Sequence, residues 1–480
     1  MPERFNLLPL MKRILLFGAG KSATSLISYL VRETASRGWH LTVADTNPSL
    51  AGSKIGVPSG NADAVAIQVE DEQARGTLVR EADIVISLLP PALHFLVAQS
   101  CIHEKKHLLT ASYLDDKLKS LGTAIRDNGL LFLCEMGLDP GIDHMSAMQL
   151  IHRIKKDNGK IHSFQSHTGG LVAPESDDNP WHYKISWNPR NVVMAGSAGA
   201  RYKENNQLIS RQYGDLFGDC RELEVEGIRL AWYPNRDSLS YIPIYGLEDA
   251  ETFIRTTLRY PGYCRAWKSI VAAGLTDDQL TVRRRDDVLS FARWSAPVIP
   301  LINNDNREQL EFLGLFDPSP VPSGAKTSAD ILQFLLETKL AMRPGDKDMI
   351  VMLHEIGYTL PASATGSPQA STGVPSSTSG PAQASPQAPS TRASSQNDAP
   401  QASPAPALHK ISSSLVVKGQ DSLQTAMAAT VGLPLGIAAL LILEGKIGLT
   451  GLHIPILPEI YEPVLQELAS QGIRFKETMG

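Results

Sequence analysis

The chain has 480 residues, 42% of them hydrophobic, and a formal net charge of −5 from 45 basic and 50 acidic side chains. That length predicts two or three domains with a large core, and the unclustered Lys and Arg exclude a nucleic-acid footprint. Four cysteines, Cys101, Cys134, Cys220 and Cys264, stand far apart without CxxC or zinc-ligand spacing. No metal site is therefore expected, and free thiols in a reducing cytoplasm are the simplest account.

The N-terminus has no signal-peptide architecture, because the apolar run 14–17 leads into glycines rather than a cleavage site. Met11-Lys12-Arg13 is a possible internal start, which leaves residues 1–10 dispensable. From there strands and helices alternate. Strands are predicted at 13–17, 40–45, 64–69, 83–89, 107–111 and 130–134, and helices at 22–36, 72–81, 91–105 and 115–128. The run 83–89 is continuously apolar, as a strand covered on both faces should be. The pattern is α/β, a Rossmann-type doubly wound parallel sheet.

Gly18-Ala19-Gly20-Lys21-Ser22-Ala23 forms a GxGxxA turn between the first strand and the first helix. Gly18 suits the tight turn, Gly20 lets the backbone approach a pyrophosphate, and the small Ala23 permits close helix packing. Asp45 then closes the second strand, where a carboxylate accepts hydrogen bonds from the ribose hydroxyls of NAD and repels the 2′-phosphate of NADP. NAD is favoured on this ground, with NADP kept open because Arg37 or Lys54 could weaken the discrimination. The alternative is an ordinary strand-end Asp capping the Asn47-Pro48 turn. Ser87-Leu88-Leu89-Pro90 and Thr110-Ala111-Ser112-Tyr113 end the fourth and fifth strands, placed to touch cofactor or substrate, or simply to cap the helix after Asp115.

Residues 137–144, GLDPGIDH, follow the sixth strand and pack two Asp, one His, two Gly and one Pro into eight positions. Gly137 and Gly141 allow unusual backbone angles and Pro140 fixes its own. Such a loop can aim Asp139, Asp143 and His144 into the cleft, or it can be a polar turn with Asp143 as helix cap. From residue 161 strand-like pieces alternate with Gly/Pro/Asn turns and aromatics concentrate, which predicts a second, α+β domain. Residues 265–344 read as mainly helical, and 347–355 and 409–418 as strands. Between those strands, 361–407 is Ser, Ala, Pro, Gln, Thr and Gly with almost no large apolar residue, and is expected to be a disordered hairpin tip. The apolar stretch 426–443 is borderline in length for a membrane span. Gly432, Pro434 and Gly436 in its middle and the lack of flanking aromatics favour a buried helix pair, so no membrane partner is expected.

Four further segments are dense in binding residue types: 169–174 (GGLVAP), 179–187 (NPWHYKISW), 233–238 (YPNRDS) and 257–260 (TLRY). Arg236 and Arg259 can each fork onto a carboxylate, and Lys184 adds a compact charge. Together with GLDPGIDH these segments resemble the glutamate-forming branch of the saccharopine dehydrogenase (saccharopine reductase) family. The resemblance runs from Arg13 through Gly262, returns at 347–353 (KDMIVML), 426–434 (AMAATVGLP) and beyond Pro458, and omits 361–407.

The resemblance implies NAD(P)-dependent oxidative cleavage of saccharopine, a tricarboxylate secondary amine, to L-glutamate and 2-aminoadipate 6-semialdehyde, in a cytoplasmic homodimer of lysine metabolism. It implies a dinucleotide-binding domain from 11–136 and 424–480, a substrate-binding and dimerisation domain from 137–262 and 346–423, and a small helical subdomain, 263–345. Carried over by position, Gly18, Ala19, Gly20, Lys21, Asp45, Leu89, Thr110, Ala111, Gly137, Leu138, Gly141, His144 and Trp187 lie at the cofactor. Ser112, Tyr113, Asp139, Arg236, Thr257, Leu258 and Arg259 face saccharopine. Asp139 is the first choice for proton transfer and Tyr113 the second. This chain has Ser166-His167-Thr168-Gly169-Gly170 where many relatives carry a Cys, which makes His167 a possible substitute. Alternatives are a related imine reductase or amino-acid dehydrogenase, of the lysine 6-dehydrogenase or carboxynorspermidine synthase type, and a non-catalytic dinucleotide sensor.

Overall fold

The computed structural model describes residues 11–56, 60–282, 289–361 and 407–480. Six strands come first: β1 Arg13–Phe17, β2 His40–Asp45, β3 Ala62–Ala66, β4 Ile84–Ser87, β5 His107–Thr110 and β6 Leu131–Leu133. Nine follow: β7 Lys160–Val172, β8 Ala200–Glu204, β9 Gln207–Arg211, β10 Arg221–Val225, β11 Ile228–Pro234, β12 Arg236–Asp237, β13 Thr252–Arg259, β14 Asp348–Thr359 and β15 Leu408–Lys418. β16 Gly451–His453 and β17 Lys476–Met479 close the chain.

The first sheet has seven strands in the order β16-β6-β5-β4-β1-β2-β3, all parallel. Its strand order reverses between β1 and β4, and their carboxyl ends open the crevice where such sheets bind ligands. β4 is buried along its whole length, consistent with helices on both faces.

Helix boundaries follow local chemistry. The first turn after Gly20 is a 3-10 turn, Lys21–Ala23, before the helix Thr24–Arg37, which stops at left-handed Gly38. The Asn47-Pro48 pair starts an unexpected helix, Pro48–Ile55, with the Asn47 side chain accepting from the Leu50 N–H at 3.1 Å and Pro48 at its first position. The single helix expected at 115–128 is two, Asp116–Ser120 and Gly122–Asp127.

The expected helix pair at 426–443 is one unbroken helix, Ala426–Leu443. Its glycines serve contact rather than a break. A Cβ on Gly432 would lie 2.8 Å from Leu26 Cβ, so the two helices pack backbone against backbone. The Asp348 carboxylate accepts from the first two N–H groups of this helix, at 2.5 and 2.9 Å, tying β14 to it. By length and composition the helix could cross a membrane, but 78% of it is buried inside the protein.

The second sheet runs β10-β11-β13-β7-β14-β15-β17, with β8 linking β9, β12 and β13 off that path. β14 and β15 pair antiparallel from Met349↔Lys418 to Thr359↔Leu408. The expected disorder of 361–407 falls, apart from residues 361 and 407, outside the described residues. β17 also belongs to this sheet, so the last residues of the 424–480 segment leave the dinucleotide-binding layer for the second one. The helices Pro261–Ala272, Phe291–Trp294, Arg307–Phe312 and Ser328–Lys339 gather around Trp181, Tyr183, Tyr263 and Trp267 in a separate apolar core.

Candidate active site

At the crevice, Gly18 has φ +100° and a Cβ there would meet the Leu88 carbonyl at 2.8 Å, so the turn is pressed onto the loop after β4. Gly20 is different: nothing lies within 4 Å of a Cβ placed on it. That open space in front of the first helix is the cradle a pyrophosphate needs, and its donors are backbone amides. The chain therefore fits a dinucleotide. Exposed Lys21 and half-buried Leu89 and Ala111 border the crevice. Asp45 accepts from the Ala19 N–H at 2.7 Å and the Asn47 N–H at 2.8 Å, so it both caps the next turn and braces the glycine loop. Arg37 turns away to Glu33 and Glu444. Lys54 instead reaches the loop, donating to the Ala19 and Gly20 carbonyls at 2.7 and 2.6 Å.

The ends of β4 and β5 are joined by a residue the sequence reading passed over. His94 is 2% exposed and lies 2.8 Å from Ser87 Oγ, 2.7 Å from Ser112 Oγ and 3.2 Å from Thr110 Oγ1. Burial depresses its pKa to about 4, against a small opposing pull from Asp115, so the ring is neutral and positions hydroxyls. Thr110 is fully buried in this set, and its hydroxyl also accepts from the Ser112 N–H at 3.2 Å.

The 137–144 loop folds back on itself. The Gly137 N–H donates to the Pro140 carbonyl and the Ile142 N–H to the Gly137 carbonyl, both at 2.9 Å. Gly141 has φ +148°, where a side chain would collide with Gly137. The Asp139–Pro140 peptide is cis. Leu138 is buried in the core. Asp139 is left half-buried at the tip, its Oδ1 accepting from Tyr113 Oη at 3.0 Å.

Arg255 on β13 organises this tip. Its Nη2 donates to Asp139 at 2.6 Å and to Asp143 at 2.7 Å, and its guanidinium carbon lies 4.5 Å from the Tyr241 ring centre. Burial drives the Asp139 pKa up, opposed by Arg255 and reinforced by Asp143. Burial also works against ionised Asp143, but His144, Arg255 and the Gly141 N–H together hold it below the ordinary carboxylate range. Two carboxylates with separated pKa values are the arrangement that assigns a proton carrier and a fixed charge. Burial, then Asp139, raises the Tyr113 phenol, so it remains a hydrogen-bond donor at neutral pH.

His144, expected as a loop-organising residue and cofactor neighbour, is 0% exposed. Its ring lies 2.8 Å from Glu135 and 2.5 Å from Tyr245 Oη, and stacks on Tyr241. It is a girder under the loop. Glu135, at φ +59° and also buried, accepts from Tyr241 Oη at 3.1 Å and the Leu114 N–H at 2.9 Å, joining β6 to the segment after β5. A non-glycine residue in that backbone region is uncommon and marks a constrained position.

On β13 the side chains alternate. Arg255, Thr257 and Arg259 share one face, while Ile254 and Leu258 enter the apolar layer with Trp232 and Met349. The fully buried Leu258 side chain therefore points away from the site. His167 also lies on that opposite face, 2.7 Å from Thr256 Oγ1 and against Trp232, which removes it as a proton handler at Asp139. Arg259 is 4% exposed and lies 5.4 Å from the ring centres of both Tyr183 and Tyr263. It donates to the Leu258 carbonyl at 2.8 Å, but its Nε has no partner among the described residues. Arg236 is exposed, with φ +50°, its guanidinium carbon 5.1 Å from the Tyr113 ring centre. Lys184 is neutralised by Asp178 and Asp346 at 2.9 and 2.8 Å. Trp187 is half-buried where the two large cores meet, its Nε1 donating to Tyr183 Oη at 3.2 Å. No cluster of metal-ligating side chains occurs among the described residues.

This parallel sheet and its glycine loop define a dinucleotide-binding fold. Family models place it further: the saccharopine dehydrogenase NADP binding domain matches residues 14–133 and the saccharopine dehydrogenase C-terminal domain matches 137–473. The chain belongs to the saccharopine dehydrogenase family. It is 32% identical to the mitochondrial alpha-aminoadipic semialdehyde synthase of Bos taurus over 97% of its own length, but spans only 47% of that protein. It is 31% identical to the saccharopine dehydrogenase [NADP(+), L-glutamate-forming] of Schizosaccharomyces pombe, covering 97% of this chain and 99% of that one. The apo saccharopine dehydrogenase (L-Glu forming) of Saccharomyces cerevisiae superimposes with a TM-score of 0.80 at 29% identity, over 98% and 100% of the two chains.

Proposed function

We propose that this chain catalyses the reversible NAD(P)-dependent oxidation of saccharopine to L-glutamate and 2-aminoadipate 6-semialdehyde. The observation that carries the substrate class is Arg259, a buried guanidinium with an unpartnered Nε and no acidic side chain paired to it among the described residues. A buried cation without a counter-charge is costly, and a substrate carboxylate completes it. Exposed Arg236 supplies a second fork across the tip that carries Asp139 and Tyr113.

A dinucleotide held by the Gly18–Lys21 turn would supply the hydride acceptor for oxidation at the lysine-derived ε-carbon. The protein's part is alignment and proton transfer. Asp139 takes the proton of the secondary amine, while Tyr113 donates to the same carboxylate and fixes its direction. Water then adds to the imine carbon, one of its protons going to the imine nitrogen and the other leaving the hydroxyl as the carbonyl forms. The Asp139 carboxyl returns its proton to the departing nitrogen, so the C–N bond breaks to give glutamate and aldehyde. Arg255 and ionised Asp143 hold the net charge beneath Asp139 constant through both steps. The relatives' names and the NADP binding domain support NADP as cofactor, and Asp45 supports NAD.

A homodimer and a cytoplasmic location, with no nucleic-acid or membrane partner, belong to the same proposal. The four free cysteines fit a reducing compartment. Light scattering of the purified protein and fractionation of its source cells test these two points. The chemistry is tested by saccharopine deuterated at the ε-carbon. With both ε-hydrogens replaced, one deuterium should appear in the reduced nicotinamide and one in the aldehyde, and reduced nicotinamide free of deuterium would reject the assignment.

A further inference from the structure

Two groups of opposite charge meet where the adenosine ribose of a dinucleotide would lie, beyond the carboxyl end of β2. Asp45 accepts from the Ala19 amide on one oxygen and from the Asn47 amide and, at 3.4 Å, the Thr46 hydroxyl on the other, so about one acceptor site is free and a second is held only by that long contact. Lys54 comes from the helix Pro48–Ile55, which the fully buried Ala51 anchors to the sheet. Its ammonium donates to the Ala19 and Gly20 carbonyls, leaving roughly one of three N–H donors unused. Among the described residues no carboxylate forms an ion pair with it. Burial lowers its pKa to about 8, with Asp45 opposing, the condition of a cation that lacks a full counter-charge.

We propose that Lys54 grips the 2′-phosphate of NADP, while Asp45 accepts from the ribose hydroxyls of NAD, so that this corner takes both cofactors. Asp45 alone would repel a 2′-phosphate. Lys54 beside it cancels that repulsion and offers a donor on the side of the glycine loop where the phosphate would sit. The cation comes from a helix after β2, not from the end of β2 itself, so a reading confined to the strand end sees only the acid.

The inference rests on the dinucleotide reading of this crevice, and direct binding separates the two. NADPH, NADH, 2′,5′-ADP and 5′-ADP are titrated against the full chain, Lys54→Met and Lys54→Arg, with Tm as a check on folding. Lys54→Met should weaken NADPH and 2′,5′-ADP about tenfold and change NADH and 5′-ADP less than about twofold, whereas Lys54→Arg should keep NADPH affinity. Equal loss for both cofactors, no loss for either, or failure of Lys54→Arg to keep NADPH would overturn the role of Lys54 alone. Failure of the unaltered chain to bind any dinucleotide would overturn the crevice reading with it.

Discussion

Arg255 donates to Asp139 at 2.6 Å through a nitrogen that also serves Asp143, although 116 residues separate Arg255 from Asp139. This sharing sets the site's electrostatics. Asp143 has further support from His144 and the Gly141 amide and stays ionised, whereas Asp139, whose largest influence is burial, is pushed upward. Removing the guanidinium leaves two buried carboxylates side by side. Arg255→Met should cost about 3–5 kcal/mol of stability, read from urea unfolding. Arg255→Lys should fold but lose about a hundredfold in kcat/KM, because an ammonium cannot reproduce the planar stack on the Tyr241 ring that aims the shared nitrogen at both carboxylates.

Asp139→Asn tests the proton carrier. Asn keeps the shape and leaves the Arg255–Asp143 pair intact, so folding should persist while kcat falls about 10²–10⁴-fold. In the oxidative direction activity requires the carboxylate form, so kcat/KM should rise with pH through a pKa above the ordinary Asp value of about 3.9. That limb should vanish in Asp139→Asn. A variant with unchanged kcat would move the proton work elsewhere.

The neutral, buried His94 gives a stability prediction with a definite sign. Its folded pKa of about 4 lies below the unfolded value of about 6.5, so between those values the unfolded chain binds the extra proton. Stability from this group is complete above about pH 6.5 and is lost as pH falls through about 4, by about 3 kcal/mol in all. Urea midpoints measured across that window should fall less steeply for His94→Gln than for the unaltered chain. Parallel slopes would remove His94 as the cause.

Much of the first sheet was legible because parallel strands read as short apolar runs and the glycine turn has few other uses. β1 and β2 and the helix Glu72–Glu81 fall where periodicity predicts them. The 426–443 helix did not, because glycine and proline read as breakers, whereas Gly432 allows close packing on Leu26. Within the site, Asp139 and Tyr113 do meet. Arg255 was missed by starting the motif at Thr257, although the two-residue period of a strand puts Arg255 on the same face as Thr257 and Arg259. Glu135 and His94 left no local signal, since their partners lie across strand ends. His167 was misread because sequence alone did not say which face of β7 it occupies.

The hairpin of β14 and β15 stays paired to Thr359↔Leu408, at one edge of which β17 adds its own strand. None of the site residues lies beyond that last pair. Replacing residues 362–406 with a short Gly-Asn turn should therefore leave kcat and KM for saccharopine within about twofold, since loop length alters closure entropy only weakly. A collapse of turnover in a folded variant would give the segment a part in the reaction.

The most direct measurement is saccharopine turnover by the purified chain with NAD and NADP in turn, following reduced nicotinamide and L-glutamate together. The account predicts one glutamate released for each nicotinamide reduced, with loss of both in Asp139→Asn. A folded protein that binds dinucleotide yet forms neither product from saccharopine would contradict it.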